Sequence, residues 1–225
     1  MTVERERLVV FARAPRLGLV KTRLTPGLAP EEALALHQAF VDDAVERLGR
    51  LSRPGLDRIL YWTEPSSDAP PHGWSFRAQN GVDLGRRMAR SVDDAIADRC
   101  ARVVIVGTDS PTLPTRIVEE AFEALGRVDV VLGPAEDGGY YLVGCTRPLP
   151  EIFQNISWGT GAVLKETRER LVRASIPFEL LPPWYDVDTP SDLERLRLEI
   201  DYLGEHDPNE VPRHAAAALS SLEDR

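Results

Sequence analysis

Carboxylates placed at the ends of apolar runs are the first residues in this chain with chemical content. Gly107-Thr108-Asp109-Ser110-Pro111 follows directly on Val103-Val104-Ile105-Val106. The apolar run predicts a buried strand that stops abruptly and leaves Asp109 at its carboxyl end. In open α/β sheets, ligands bind in the crevice just outside those ends. A carboxylate there suits a hard divalent cation, and such a cation suits a nucleotide diphosphate. The rival reading is that Asp109 merely forms the Ser-Pro turn. A second acidic group sits in Trp184-Tyr185-Asp186-Val187-Asp188-Thr189-Pro190-Ser191-Asp192-Leu193. Thr189 as N-cap, Pro190 at the first helical position and Asp192 in the first turn make an ordinary helix start. That start leaves Asp186 and Asp188 unexplained. Alternate residues on an extended segment point to the same side, so both acids can face one site, where they repel unless a cation is near. Asp109, Asp186 and Asp188 are the candidate metal ligands.

Cations follow the first apolar run. Phe11-Ala12-Arg13-Ala14-Pro15-Arg16-Leu17-Gly18-Leu19-Val20-Lys21-Thr22-Arg23-Leu24 is basic and contains Gly18, where backbone can approach a ligand. Lys21 as a point charge and Arg23 as a fork could neutralise a diphosphate; a basic surface loop is the alternative. The segment is neither a GxxxxGK[ST] loop nor a GxGxxG fingerprint. In Gln79-Asn80-Gly81-Val82-Asp83-Leu84-Gly85-Arg86-Arg87-Met88, Asp83 reads as a helix cap. The Gln79 amide could read a base edge there, and Arg87 could meet a phosphate. Gly133-Pro134-Ala135-Glu136-Asp137-Gly138-Gly139-Tyr140-Tyr141 is either a hairpin-like turn or a glycine-floored pocket in which Asp137 or Glu136 binds polar groups. Trp158, among small residues in Asn155-Ile156-Ser157-Trp158-Gly159-Thr160-Gly161, is either a platform for a sugar or other acceptor or a packing residue before a helix capped by Thr160. His37, His72, His206 and His214 are scattered, and His37 reads as a surface or satisfied core residue on a helix.

The elements that must position these residues alternate in type. Strands are predicted at Leu8 to Phe11, Ile59 to Trp62, Val103 to Val106, Val130 to Leu132, Tyr140 to Val143 and Phe178 to Leu181. Helices are predicted from Pro30, with Leu34, Val41, Val45 and Leu48 on one stripe, and from Leu84 through Met88, Val92 and Ile96. Others begin near Pro114, around Val163 to Leu171, and at Leu193 to Leu203. A loop with Pro15, Gly18, Pro26 and Gly27 follows the first strand, and a Pro-rich loop runs from Glu64 to Trp74. This alternation predicts an α/β fold, a three-layer α/β/α sandwich with a mostly parallel sheet. Residues 1–203 read as one domain, and 204–225 as a tail or short helix.

With 225 residues, 43% of them hydrophobic, the chain can build a substantial core. A net charge of −9 argues against nucleic-acid or anionic-membrane partners. No apolar run approaches the ~20 residues of a membrane helix. No signal peptide is visible, and Cys100 and Cys145 form no CxxC pair. The expectation is a soluble cytoplasmic protein; its oligomeric state is not legible.

In this order, FARAPRLGLVKTRL, GTDSPTLP, GPAEDGGYYLVG, ISWGTG and WYDVDTPSDL resemble the nucleotide-diphospho-sugar transferase superfamily of the GT-A fold. The likeness reaches to about Leu203, and is strongest to a bacterial glycosyltransferase family of the arsenosugar-biosynthesis type. More distantly, the chain is similar to the nucleotidyltransferases of the molybdenum cofactor and F420 pathways. The first loop carries Ala12-Arg13-Ala14-Pro15 where the sugar-nucleotidyltransferase signature has Gly-Gly, and no literal Asp-x-Asp surrounds Asp109. The resemblance implies that Arg13, Gly18, Lys21, Arg23, Gln79 and Arg87 meet the nucleotide. It implies that Asp109 with Asp186 or Asp188 binds Mg²⁺ or Mn²⁺. It implies that Gly138, Gly139 and Trp158 face the acceptor, and that Lys21, Asp109 and Asp137 serve catalysis. The expected activity is a metal-dependent transfer from a nucleotide-activated substrate to a small-molecule acceptor. Glycosyl transfer from a nucleotide-diphospho-sugar comes first, and nucleotidyl transfer from an NTP to a phosphorylated small molecule second. A non-catalytic nucleotide-binding protein is the third reading.

Overall fold

A computed structural model describes residues 4–25, 27–66 and 69–223. Of the segments read above, Met1–Val3, Pro26, Ser67, Asp68, Asp224 and Arg225 lie outside the described residues. Seven strands form one sheet: β1 (Arg5–Ala12), β2 (Leu56–Trp62), β3 (Ser75–Ala78), β4 (Cys100–Gly107), β5 (Val130–Pro134), β6 (Tyr140–Cys145) and β7 (Phe178–Leu180). Their order across the sheet is β3-β2-β1-β4-β6-β5-β7. All neighbours pair in parallel except β6, which runs antiparallel to both β4 and β5.

The continuous apolar runs of β1 and β4 have a direct cause, because a central parallel strand is covered on both faces. Successive side chains alternate between faces. Thus Val10, Val104 and Val106 pack into one core with Val41 and Leu48 of α1 (Pro30–Gly49) and Ile117 and Phe122 of α3 (Thr115–Ala124). Val9, Val103 and Ile105 pack into the other with Met88 and Val92 of α2 (Leu84–Ala97) and Leu171 of α4 (Val163–Arg173). The result is three layers, helix on sheet on helix. A third core lies off the sheet, where α5 (Pro190–His206) and α6 (Arg213–Glu223) meet α1 around Leu36, Phe40, Val187, Leu196 and Leu219.

Helix starts follow their local chemistry. Asp83 accepts a hydrogen bond from the Arg86 amide at 2.7 Å and caps α2. Asp192 accepts from the Thr189 amide at 2.7 Å, closing a capping box over Pro190. Thr160 does not cap α4, whose N-cap is Ala162. One sheet feature differs from expectation, and one follows the hairpin-like alternative for residues 133–141. β3 alternates polar residues on an exposed edge and carries no apolar run. β6 is reversed because the Ala135–Gly139 turn returns the chain beside β5, with the Ala135 amide donating to the Gly139 carbonyl at 3.1 Å. Gly204–His206 extends α5, and the remainder up to Glu223 contains α6. Cys100 and Cys145 are both free and buried. Among the described residues no helix is long and apolar enough to cross a membrane.

Candidate active site

The carboxyl ends of β1, β2 and β4 open into a cavity of about 470 Å³. The loop after β1 lines it with Arg13, Lys21 and Arg23; the ends of β2 and β3 add Thr63 and Gln79; α2 adds Leu84, Arg87 and Met88. From β4 come Thr108 and Asp109, from the β5–β6 turn Asp137 and Gly139, and from later loops Trp158, Thr160, Asp186 and Asp188.

Lys21 has φ 47° and ψ 36°, in the left-handed region. A side-chain-bearing residue is uncommon there, and such strain persists only where the surroundings over-determine it. Here they do. The Lys21 side chain is 3% exposed and pairs with Asp109 and, at 3.3 Å, with Asp188. Its ammonium also donates to the Val187 carbonyl at 2.7 Å and lies 5.1 Å above the Phe40 ring. Arg23 is exposed and reaches Asp188 at 3.3 Å. The Val187 amide donates to the Asp109 carbonyl at 2.8 Å. The strand-end acid and the late acidic segment are therefore bound together by backbone as well as by charge.

The acids differ in their proton affinity. Burial alone would raise the Asp109 carboxyl, but the Lys21 ammonium, helped by His37 and Arg13, holds it below the usual carboxylate range. Asp186 accepts from the Ser110 hydroxyl at 2.5 Å. Burial nevertheless pushes its carboxyl up to about 7, and the like charges of Asp109 and Asp137 push the same way. Among the described residues no three His, Cys, Asp or Glu side chains converge as a ready-made metal cage. Magnesium does not need one, since it is commonly held by one or two carboxylates plus substrate phosphates. Asp109 and Asp186, two mutually repelling acids beside an ammonium, fit that pattern. The Asp188 carboxylate instead lies against Lys21 and Arg23.

Other candidates fall around these acids. The Gln79 amide nitrogen donates to the Ala12 carbonyl at 3.1 Å and the Tyr61 carbonyl at 3.0 Å. Two carbonyls fix its orientation, so its oxygen is the group it can offer a ligand. Arg87 donates from Nε to the Gly81 carbonyl at 3.1 Å, which closes the turn before α2. Asp137 accepts from the Gly139 amide at 2.8 Å. Gly138 does not line the cavity; its φ of 91° and its contact with the Gly161 backbone, where a Cβ would collide, shape the turn that presents Asp137 and Gly139. Gly18 lies outside the cavity in an exposed turn, with Leu19 donating to Arg16 at 3.0 Å. Trp158 packs edge-on to Tyr140 at 6.1 Å and over Gly85, where any Cβ would strike its indole.

His37, read from the sequence as a surface or satisfied core residue, is the core alternative, and its place in the cavity wall was not foreseen. It is 3% exposed, lines the cavity, and its Nε2 sits 3.0 Å from the Arg13 carbonyl, which can only accept. Burial lowers its pKa. The available signal was its setting inside Ala33-Leu34-Ala35-Leu36-His37-Gln38-Ala39-Phe40-Val41, where an imidazole has apolar neighbours on both sides.

Comparison with known proteins supplies the remaining context. Residues 50–160 match the family described as "Uncharacterized protein conserved in bacteria (DUF2064)". The 2-phospho-L-lactate guanylyltransferase of Methanothermobacter thermautotrophicus is 28% identical over 187 residues, covering 81% of each chain. The phosphoenolpyruvate guanylyltransferase of Sphaerobacter thermophilus is 25% identical over 187 residues, covering 80% of this chain and 88% of the relative. A crystal structure from Desulfovibrio desulfuricans G20, provisionally named a nucleotide-diphospho-sugar transferase, is 31% identical. It superposes with a TM-score of 0.82 over 97% of this chain and 98% of its own.

Proposed function

We propose, from the premise that the chain belongs to the DUF2064 family of bacterial proteins, that it is a nucleotidyltransferase joining an NTP to a phosphorylated small molecule. The observation that carries this reading is the Lys21–Asp109 pair, which sets a cation-rich loop directly against a strand-end acid in one cavity. In this reaction an acceptor phosphate oxygen attacks the α-phosphorus, the bond from that phosphorus to the bridging oxygen breaks, and pyrophosphate leaves. Sequence alone put glycosyl transfer first. The names of the two curated relatives, both guanylyltransferases, move nucleotidyl transfer ahead and make GTP the first triphosphate to test.

Each residue then has a task. Lys21, Arg23 and Arg87 neutralise the triphosphate, for which charge-assisted hydrogen bonds are the strong kind. Arg13 adds positive charge at the mouth. The Gln79 oxygen accepts from a base donor such as the guanine amino group. Asp109 and Asp186 hold Mg²⁺ or Mn²⁺, which when bound supplies charge stabilisation to the phosphate oxygens. Asp188 sets Lys21 and Arg23. Asp137, Gly139 and Trp158 line the acceptor side.

Thermal-shift titration with NTPs and nucleotide sugars, with and without Mg²⁺, tests the proposal. Magnesium-dependent stabilisation by GTP but not by nucleotide sugars is expected, and Asp109→Ala abolishes it. Stabilisation by nucleotide sugars alone returns the lead to glycosyl transfer, the reading that the name of the D. desulfuricans structure favours. Binding of GTP with no product formed from any phosphorylated acceptor leaves a non-catalytic nucleotide-binding protein.

A further inference from the structure

Asp109 is followed by an irregular segment, Ser110–Pro114, that must be held from outside. One side is fixed by the late acidic segment: Ser110 donates to Asp186, and Thr112 Oγ1 donates to the Tyr185 hydroxyl at 2.9 Å. The other side is fixed by a guanidinium buried in α1. Arg47 is 5% exposed and donates to the Leu113 carbonyl at 2.9 Å and to the Pro111 carbonyl. The same guanidinium pairs with the carboxylate of Glu210. Glu210 also accepts from the Thr115 amide at 3.2 Å and from the Thr115 hydroxyl, at the first turn of α3.

Glu210 belongs to the last portion of the chain, and one face of α1 grips that portion along its length. Asp43 accepts from the His214 and Ala215 amides at 2.9 and 2.7 Å, capping α6. Glu46 meets His214 at 3.0 Å, and Arg50 donates to the Asn209 carbonyl at 3.3 Å. Asp43, Glu46, Arg47 and Arg50 follow helical spacing and share a face. Ala215 and Leu219 complete the third core, the same core that seats Phe40 under Lys21 and contains Val187, whose carbonyl receives the Lys21 ammonium.

We propose that Glu210 is a positioning residue for Asp109, acting through Arg47, and that residues 207–223 form a clasp that sets the cation-binding edge of the site. The clasp rests on the reading of Asp109 as a cation ligand. The physical reason is the cost of an unpaired buried charge. Without Glu210 the Arg47 guanidinium is drawn toward water and gives up the Pro111 and Leu113 carbonyls, and the segment behind Asp109 loosens.

The test is hydrogen exchange on the full chain, comparing the unmodified protein with Glu210→Ala, Glu210→Gln and Arg47→Lys. Ile176→Ala, in the core on the opposite face of the sheet, is the control for general destabilisation. Glu210→Ala should speed amide exchange across 108–114 about tenfold and leave β4 protected. Glu210→Gln, which keeps an acceptor for Thr115, should fall between that and the unmodified chain. Arg47→Lys should loosen the same segment, because a compact ammonium lacks the planar fork with which the guanidinium reaches partners in these fixed directions; this variant decides the matter if Glu210→Ala does not fold. Unchanged exchange at 108–114 overturns the clasp, as does equal loosening by Ile176→Ala. Calorimetric affinity for Mn²⁺–GTP is read in parallel, with an expected fall of about tenfold for Glu210→Ala and for Arg47→Lys and none for Ile176→Ala. Local loosening in a chain that binds no nucleotide in any form refutes the proposed function and upholds the clasp.

Discussion

Two nearly dry cations sit at opposite ends of β1, and their acids respond in opposite ways. At the amino end, Arg7 is 2% exposed and donates to Asp57 at 2.9 and 2.6 Å and to Asp98 at 2.8 Å. Arg77 also reaches Asp98 at 3.1 Å. Hydrogen bonds from these two guanidinium groups hold Asp98 below the ordinary carboxylate range. At the carboxyl end Lys21 is equally buried, but one ammonium faces Asp109 and Asp188, and Asp186 close by is driven up to about 7. In the first cluster each acid is met by at least one guanidinium. At the second, Lys21 and Arg23 are spent on Asp109 and Asp188, while Asp186, raised first by its burial and then by like charge, is met by the Ser110 hydroxyl, and that is the setting of a place that accepts a further cation. Burial of a charge alone does not separate structure from function; the balance of its partners does.

The comparison is broken or sharpened most strongly by Arg7→Met. The acids it leaves, Asp57 and Asp98, are part-exposed, so the loss is that of charged hydrogen bonds, about 1.5–3 kcal/mol, read as a lowered urea midpoint. Because the Arg7 cluster is structural, Mg²⁺–GTP affinity at a temperature where the variant is folded should match that of the unmodified chain. Lost affinity in a folded Arg7→Met protein would erase the distinction. Lys21→Met comes next. A hydrogen bond to a charged group contributes about 1.5–3 kcal/mol, so triphosphate affinity should fall by roughly tenfold or more. The melting temperature should move less than in Arg7→Met. The reverse pattern, a large stability loss with affinity intact, would make Lys21 another structural cation.

Legibility followed the physics of each feature. β1 and β4 were visible because burial on both faces demands unbroken apolar runs, and Asp109 was visible as the polar residue that ends one. β3 was hidden because Ser75 and Arg77 sit on an exposed edge, where nothing demands apolar residues. The reversal of β6 was legible only as one alternative, because Asp137-Gly138-Gly139 suits a hairpin-like turn and a pocket floor alike, and an apolar run carries no direction. At the site, residue types were legible and pairings were not. The fold alone brings Lys21 to Asp109, and it gives Asp188 to the cations while leaving Asp186 with Ser110. Arg47 and Glu210 escaped notice because a polar residue on a helix or near a terminus ordinarily faces water, whereas these two pair with each other behind Asp109; His37 was legible as a satisfied core residue, but its place on the cavity wall was not.

The finest test of the contrast is pH. Asp186 titrates near 7 in the folded chain, against about 3.9 for an unperturbed aspartate. Between those values the folded state binds more protons than the unfolded state, so stability declines as pH rises. The Asp186 contribution is fully present below about pH 4 and is lost once pH passes 7. Asp98, whose folded pKa is lowered, has the opposite sign: its contribution is present above its unfolded value and disappears only in stronger acid. Urea midpoints of the metal-free protein between pH 4.5 and 7.5 should therefore fall less steeply in Asp186→Asn than in the unmodified chain, and Asp98→Asn should leave that slope unchanged. Saturating Mg²⁺–GTP should flatten the unmodified profile as well, since a bound cation favours the ionised carboxylate. A profile that Asp186→Asn does not alter would show that the excess acid at the carboxyl end is already balanced within the chain, and the two ends of β1 would then be alike.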